Sequence, residues 1–192
     1  MLNQSEELID KLKQGDHTGF TALMELYQDM VYNTAISIVQ NAEDADDITQ
    51  EVFVQVYLSI KSFSGNSKFS TWLYRITISK ALDHEKKKKR KKRFALVQSI
   101  FGNTTDEKTL PVEFHHPGIL LENKQRAAEL LKALKSLPEK QRIAFTLHKL
   151  EGQSYQEIAD IMATSLYAAE SLISRAKVNL QKILRKFYSE NK

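Results

Sequence analysis

Three groups of side chains in this chain have types and spacings suited to binding chemistry. Lys86, Lys87, Lys88, Lys89, Arg90, Lys91, Lys92 and Arg93 form an unbroken basic run. Such a run either ends a helix as a solvated block or neutralises phosphates, in which case binding falls steeply with salt. Just before it, Phe63, Phe69, Trp72 and Tyr74 alternate with Asn66, Lys68 and Arg75. Rings that stack bases beside cations that track a backbone are what single-stranded nucleic acid requires. Phe69, Leu73 and Ile76 also read as core, whereas Trp72, Arg75 and Ser79 lie on a neighbouring stripe that runs on to Lys86. Further upstream, Glu43, Asp47, Gln50 and Glu51 share one side of a helix whose other side carries Ala45, Ile48, Val52 and Val56. That stripe is either solvated surface or a docking face for a basic partner. A single helix splays its carboxylates apart, so it does not converge them on a hard cation.

Residues 154–184 fit a helix-turn-helix position by position. Ser154 and Glu157 have capping-box spacing, in which each side chain satisfies a backbone amide that the helix start leaves unpaired. Ile158 and Met162 supply packing, Ala159 permits close approach, and Ala163, Thr164 and Ser165 make the turn. Leu166, Ala169, Leu172, Ala176, Leu180, Ile183 and Phe187 then recur every three or four residues, as on a buried face. The outer face of the second helix carries Tyr167, Glu170, Ser171, Ser174 and Arg175, where a major groove would be read. An ordinary helical hairpin fits the same periodicity.

The elements that must position these groups are all helical. Ser5 is placed to cap a first helix that stops at Gly15, a second spans residues 17–40, and Asn41 with Asp44 starts a third that runs to Lys61. Residues 62–68 are rich in turn formers, and a fourth helix starts near Phe69 and fades into the basic run. Residues 94–118 read as a tether, and residues 119–187 as a second helical unit with Pro138 near a helix start and Gly152 near a helix end. The expected organisation is therefore all-α. A first domain covers residues 1–93 and a flexible linker 94–118; a helix-turn-helix domain covers 119–192.

Composition narrows the function classes. The 192 residues are 42% hydrophobic, enough for packed cores, and contain no cysteine, which excludes thiol catalysis and disulfides. The net charge is only +4, so its distribution matters more than its sum. No apolar run approaches membrane-spanning length and residues 1–13 do not resemble a signal peptide, so no direct membrane insertion and a cytoplasmic location are expected. His17, His84, His115, His116 and His148 show neither metal-ligand nor triad spacing, so no metal, no cofactor and no catalytic residue is expected. On these residues alone, a polymerase-independent repressor or activator and a basic adaptor stay open.

Four segments carry a family resemblance. Asp44-Ala45-Asp46-Asp47-Ile48-Thr49-Gln50-Glu51-Val52-Phe53, Phe69-Ser70-Thr71-Trp72-Leu73-Tyr74-Arg75-Ile76, Leu137-Pro138-Glu139-Lys140-Gln141-Arg142 and Glu151-Gly152-Gln153-Ser154-Tyr155-Gln156-Glu157-Ile158-Ala159 occur in this order. Together they resemble the signature segments of bacterial RNA polymerase sigma factors, specifically the extracytoplasmic-function group of the sigma-70 family. The resemblance implies that Asp47, Gln50, Glu51 and Phe53 dock on the β′ clamp helices of the core polymerase. It implies that Phe63, Asn66, Lys68, Trp72, Arg75, Ser79 and Lys86 recognise and melt the promoter −10 element, with Asn66 at the pocket for a flipped base. It further implies that Ser154, Tyr155, Tyr167, Glu170, Ser171, Ser174 and Arg175 face the −35 duplex, while the other side of that domain meets the β flap. An anti-sigma factor that enters between the domains is the implied regulator, and catalysis stays with the polymerase.

Four positions depart from the family pattern; one is Leu172, which stands where a second basic residue is frequent and reads as packing on the buried stripe. Ser79 stands where Asn is usual and Ala163 where the turn commonly has Gly, which strains a left-handed residue. Glu170 stands where a basic residue is frequent, so the −35 preference is expected to differ, with Arg175 the candidate for a guanine contact.

Overall fold

The computed structural model describes the backbone of residues 2–16, 18–99 and 124–190, and side chains within 7–16, 19–91 and 130–185. All regular elements among these residues are helical. Helices α1 (Leu2–Lys13), α2 (Thr18–Val39), α3 (Ala42–Ser59) and α4 (Phe69–Ser99) form the first unit, with a 3-10 turn at Ile60–Ser62. Helices α5 (Lys124–Lys135), α6 (Glu139–Lys149), α7 (Tyr155–Ile161) and α8 (Leu166–Glu190) form the second.

Local chemistry sets most boundaries. Gln40 takes a left-handed φ of 53° after α2, and the Asn41 side chain then accepts from the Asp44 amide at 2.8 Å to start α3. Glu43 and Asp44 occupy the first turn of α3, where carboxylates complement the helix dipole. Gly65 turns the loop before α4 at φ +75°, a conformation that costs other residues a Cβ clash. Ser5 does not cap α1, which already starts at Leu2.

The largest departure in the first unit is α4. Instead of fading, it carries the whole basic run and continues to Ser99, beyond the expected domain edge at residue 93. Lys, Arg, Leu and Ala are good helix formers and no Gly or Pro interrupts the span. Like-charge repulsion is relieved from α3 and within α4, because Lys88 pairs with Asp44 at 2.8 Å and Lys89 with Glu85 at 3.5 Å. The rest of the expected tether, from residue 100 onward, lies outside the described residues.

In the second unit, Pro138 precedes α6 and the full capping box at Ser154 and Glu157 starts α7. The buried stripe of α8 is Ala169, Ile173, Ala176 and Leu180. Leu172 is half-buried at its flank and Leu166 is exposed, which corrects the expected stripe by one position. Phe187 lies outside the described side chains.

The two units are not separate. One apolar cluster runs from Leu23, Ile48, Val52 and Leu73 of the first unit into Ile143, Leu147, Ile158 and Ile173 of the second. A smaller cluster of Leu131, Leu134, Leu137, Ala176 and Leu180 closes the far side of the second unit. Gln40 donates to the Leu131 carbonyl at 2.6 Å across the boundary. The two units expected on either side of a linker also pack on one another. Apolar surface on α2 and α4 that looks like the core of one domain also serves the other.

Candidate nucleic-acid interface

The acidic stripe of α3 divides by burial. Asp47, Gln50 and Glu51 point to solvent, whereas Phe53 is 2% exposed and packs edge-on to Phe20 at 6.4 Å. A surface contact through Phe53 is therefore corrected; the ring belongs to the core. On the solvent side, Val54 (58% exposed) and Leu58 (72% exposed) extend the line of Asp47 and Glu51 by steps of three and four residues. They were missed because apolar residues were read as core, although the periodicity places them on the acidic face. Asp44, beside the stripe, holds Lys88 and lies 3.1 Å from His84.

The aromatic group also divides. Phe63 is 9% exposed, with Phe69 and Trp72 rings at 5.6 and 5.3 Å. Its role as an exposed stacking residue is corrected, because the ring anchors the loop onto α4. Lys13 lies over the Phe63 ring at 5.5 Å, a cation–π contact that ties α1 to the same anchor. Asn66 and Lys68 remain exposed on the anchored loop, and Trp72 is half-buried. An open cleft of about 500 Å³ then runs along α4, lined by Glu51, Trp72, Arg75, Ser79, Lys80 and Lys87 among others. Lys86 lies off this cleft beside Asp83 at 3.4 Å, and Lys87 takes the place expected of it.

Two of the expected DNA contacts meet the second unit. The Lys68 ammonium donates to Glu157 at 2.7 Å, and the Arg75 guanidinium donates to the Asp160 carbonyl at 2.5 Å. Lys68, with the Ser154 amide and hydroxyl, holds the Glu157 carboxyl down at about 2, so it stays ionised. Beside them Tyr74 donates to Glu151 at 3.1 Å while Gln153 donates to the Tyr74 oxygen at 3.3 Å. Burial pushes the Glu151 carboxyl up to about 7 despite the Tyr74 hydrogen bond, and pushes the Tyr74 phenol well above its ordinary value. Arg142 and Glu85 form a further pair at 3.0 Å, both largely out of water. The sequence offered no signal for Tyr74, Glu85, Arg142 and Glu151 meeting, because each pair is more than fifty residues apart.

In the helix-turn-helix, the Ser154 hydroxyl donates to Glu157 at 2.8 Å and accepts from its amide at 3.3 Å, so its hydrogen bonds are committed to the cap. Tyr155 stacks on His148 with ring centroids 4.8 Å apart and is half-buried, which leaves it a packing role. On α8, Tyr167 is 80% exposed and Glu170, Ser174 and Arg175 are also exposed; Ser171 is half-buried. Ala163 adopts a left-handed φ of +48° in the turn. Among the described residues no group of His, Asp and Glu is arranged to hold a metal ion, and no helix is long and apolar enough to cross a membrane.

Among the described residues the fold is all-helical, with an open cleft of mixed charge around Trp72 and an exposed outer face on the second helix of a helix-turn-helix, an arrangement suited to binding DNA. Residues 23–91 match the sigma-70 region 2 family and residues 127–180 match sigma-70 region 4. The chain is 30% identical over 194 residues to the RNA polymerase sigma-H factor of Pseudomonas aeruginosa, covering 97% of each. It is 32% identical over 181 residues to the extracytoplasmic-function sigma factor SigW of Bacillus subtilis, covering 92% of this chain and 95% of that one. With the sigma-E factor of Escherichia coli it shares 32% identity over 170 residues, 88% of each chain. The same fold occurs in CnrH, solved with the cytosolic domain of CnrY (TM-score 0.70, 21% identity, 95% of this chain and 98% of that one). It occurs also in RpoE of Bartonella quintana, solved with the anti-sigma factor NepR (TM-score 0.62, 23% identity, 86% of this chain and 96% of that one). This chain belongs to the sigma-70 family of RNA polymerase sigma factors, in its extracytoplasmic-function group.

Proposed function

We propose that this sigma factor divides promoter recognition among three faces of its helices. The α3 face of Asp47, Gln50 and Glu51, extended by Val54 and Leu58, docks on the β′ clamp helices of core RNA polymerase. Asn66 and Lys68 on the loop, with Trp72, Arg75, Ser79 and Lys87 along the α4 cleft, hold the melted −10 strand. Extruding one base costs a few kcal/mol of stacking, which a pocket and neighbouring cations offset. The α8 face of Tyr167, Glu170, Ser174 and Arg175 reads the −35 duplex, and the opposite side of that unit meets the β flap. The chain makes and breaks no bonds itself; it works in the cytoplasm under an anti-sigma factor.

The observation that supports this reading best is the exposure of Asp47 and Gln50, with Glu51 still open to solvent beside Lys80, on a helix where Asp44 is tied up by Lys88. A DNA-only repressor gives that acidic–apolar stripe nothing to do. The test adds the purified chain to core polymerase on a promoter library and maps start sites. Specific initiation that disappears with Asp47→Lys/Glu51→Lys is the expected result. Duplex binding with no start-site choice by the polymerase would sink the reading and leave a repressor.

A further inference from the structure

We propose that the first turn of α8 reads a thymine methyl group in the −35 duplex through Tyr167 and Leu166. This rests on the reading of the α8 face as the −35 surface and adds to it the base that the face selects. Leu166 is 44% exposed and Tyr167 80% exposed, and neither packs on the apolar clusters beneath the helix. Two large apolar side chains held in water on one turn of a helix gain free energy from a partner that covers them.

Helix geometry fixes where they stand. Ala169, Ile173, Ala176 and Leu180 bury one side of α8. Tyr167, Ser171 and Ser174 follow one another by steps of four and three on the opposite side, so the ring stands on the line farthest from the core. Leu166 lies one turn before Glu170, on the flank of that line. The first turn itself is held in place. The Ser165 hydroxyl accepts from the Ala168 amide at 3.2 Å, and the Ala169 amide donates to the Ser165 carbonyl at 3.0 Å. In a helix-turn-helix the N-terminal residues of the second helix meet base edges, whereas the first helix crosses the backbone.

Base chemistry then selects the partner. Base pairs offer donors and acceptors to the major groove, and its one apolar group is the C5 methyl of thymine. Leu166 has no polar side-chain atom, so a hydrogen-bonding base edge covered by it loses water without compensation. A thymine methyl loses nothing there and buries apolar surface. Ser171 and Ser174 accept either base polarity, and Glu170 accepts from a cytosine amino group. The apolar pair is therefore the part of the face that demands thymine. The Tyr167 hydroxyl, at the far end of its ring, suits a phosphate oxygen instead.

Thymine and uracil differ by that methyl alone, which makes the test selective. The full chain is assembled with core polymerase, and the −35 element is taken from the promoters recovered by start-site mapping. Each thymine in it is replaced in turn by deoxyuridine, and holoenzyme affinity is measured by competition. At a position under the apolar pair the uracil duplex is expected to bind about fourfold more weakly, the effect of one buried methyl group. The double variant Leu166→Ala/Tyr167→Ala should bind thymine and uracil duplexes alike at that position. Tyr167→Phe should keep the thymine preference, since it removes only the hydroxyl. Both side chains lie outside the core, so thermal midpoints should stay unchanged and a lost preference is not lost fold. A recovered −35 element without thymine, equal affinity for thymine and uracil at every position, or a double variant that retains the preference would overturn the proposal. Specific initiation by the holoenzyme, and with it the −35 reading, survives each of those results. Failure of that reading has its own signature, an affinity that ignores scrambling of the whole −35 element, and it takes the thymine proposal with it.

Discussion

At the scale of single residues, three positions convert geometry into measurable outcomes. Ala163 sits at φ +48°, where a Cβ crowds the following carbonyl. Ala163→Gly should raise the urea midpoint, with a gain of about 1 kcal/mol after the entropy that glycine adds to the unfolded chain. Phe53 reports the opposite kind of site. At 2% exposure its truncation leaves a cavity, so Phe53→Ala should cost about 3–5 kcal/mol in denaturant unfolding. Any loss of polymerase binding should then track loss of fold. Glu170 is exposed on the α8 face, where a carboxylate accepts from a cytosine amino group and repels phosphate. Glu170→Lys should shift the −35 sequence recovered by binding-site selection; an unchanged preference would remove Glu170 from the reading face.

At the scale of elements, α3 and α4 show how one helix serves two purposes. The inward face of α3 buries Ala45, Ile48, Val52, Phe53 and Val56, which fixes its axis and so aims Asp47, Glu51, Val54 and Leu58 outward together. Leu58→Asp removes exposed apolar surface without touching the core. It should leave the thermal midpoint nearly unchanged while lowering core-polymerase affinity roughly tenfold, the effect of about 1.4 kcal/mol from one apolar anchor. Equal affinity would confine the docking face to its acidic half. Helix α4 shows that a basic run need not end a helix when neighbouring acids shield it: Asp44 and Glu85 hold Lys88 and Lys89. The caps of α3 and α7 were legible at Asn41 and Ser154 because a cap involves residues only three apart. The face of α8 was legible only to within one position, since Leu172 and Ile173 are adjacent and equally apolar, and packing decides between them.

At the scale of the whole molecule, the packing of the two units on each other depends on acidity. Glu151 faces Tyr74 across the boundary, Gln153 from its own unit donates to the Tyr74 oxygen, and His148 contacts the Gln153 carbonyl at 3.1 Å. Burial raises the Glu151 carboxyl to about 7, whereas opening returns it to water and its ordinary value of 4.5. The packed arrangement thus holds the proton more tightly, so the contact between the units strengthens as pH falls through 7 and levels off below 4.5. Glu157, held near 2, stays ionised throughout and adds nothing to this trend. Energy transfer between dyes at Gln28→Cys and Lys182→Cys, one exposed site on each unit of this cysteine-free chain, should therefore show a packed-to-separated ratio several-fold higher at about pH 5.5 than at about pH 8. Glu151→Gln should flatten the profile. A flat profile in the unaltered chain would show that Glu151 does not titrate with the packing of the units.

Within the amino-acid sequence alone, short-range physics already settled the helical class, the caps, the turn at Ala163 and the ordered segments that carry the sigma-factor resemblance. Each of these depends on neighbours a few residues away. Tertiary structure decided what depends on distant neighbours. It buried Phe53 and Phe63 while leaving Val54 and Leu58 in water, and it carried α4 through its charges. It also brought Glu157 onto Lys68 from 89 residues away. An amphipathic helix specifies that it has an apolar face, but the partner that covers the face is chosen only when the chain packs, because burial is a property of the assembled surface.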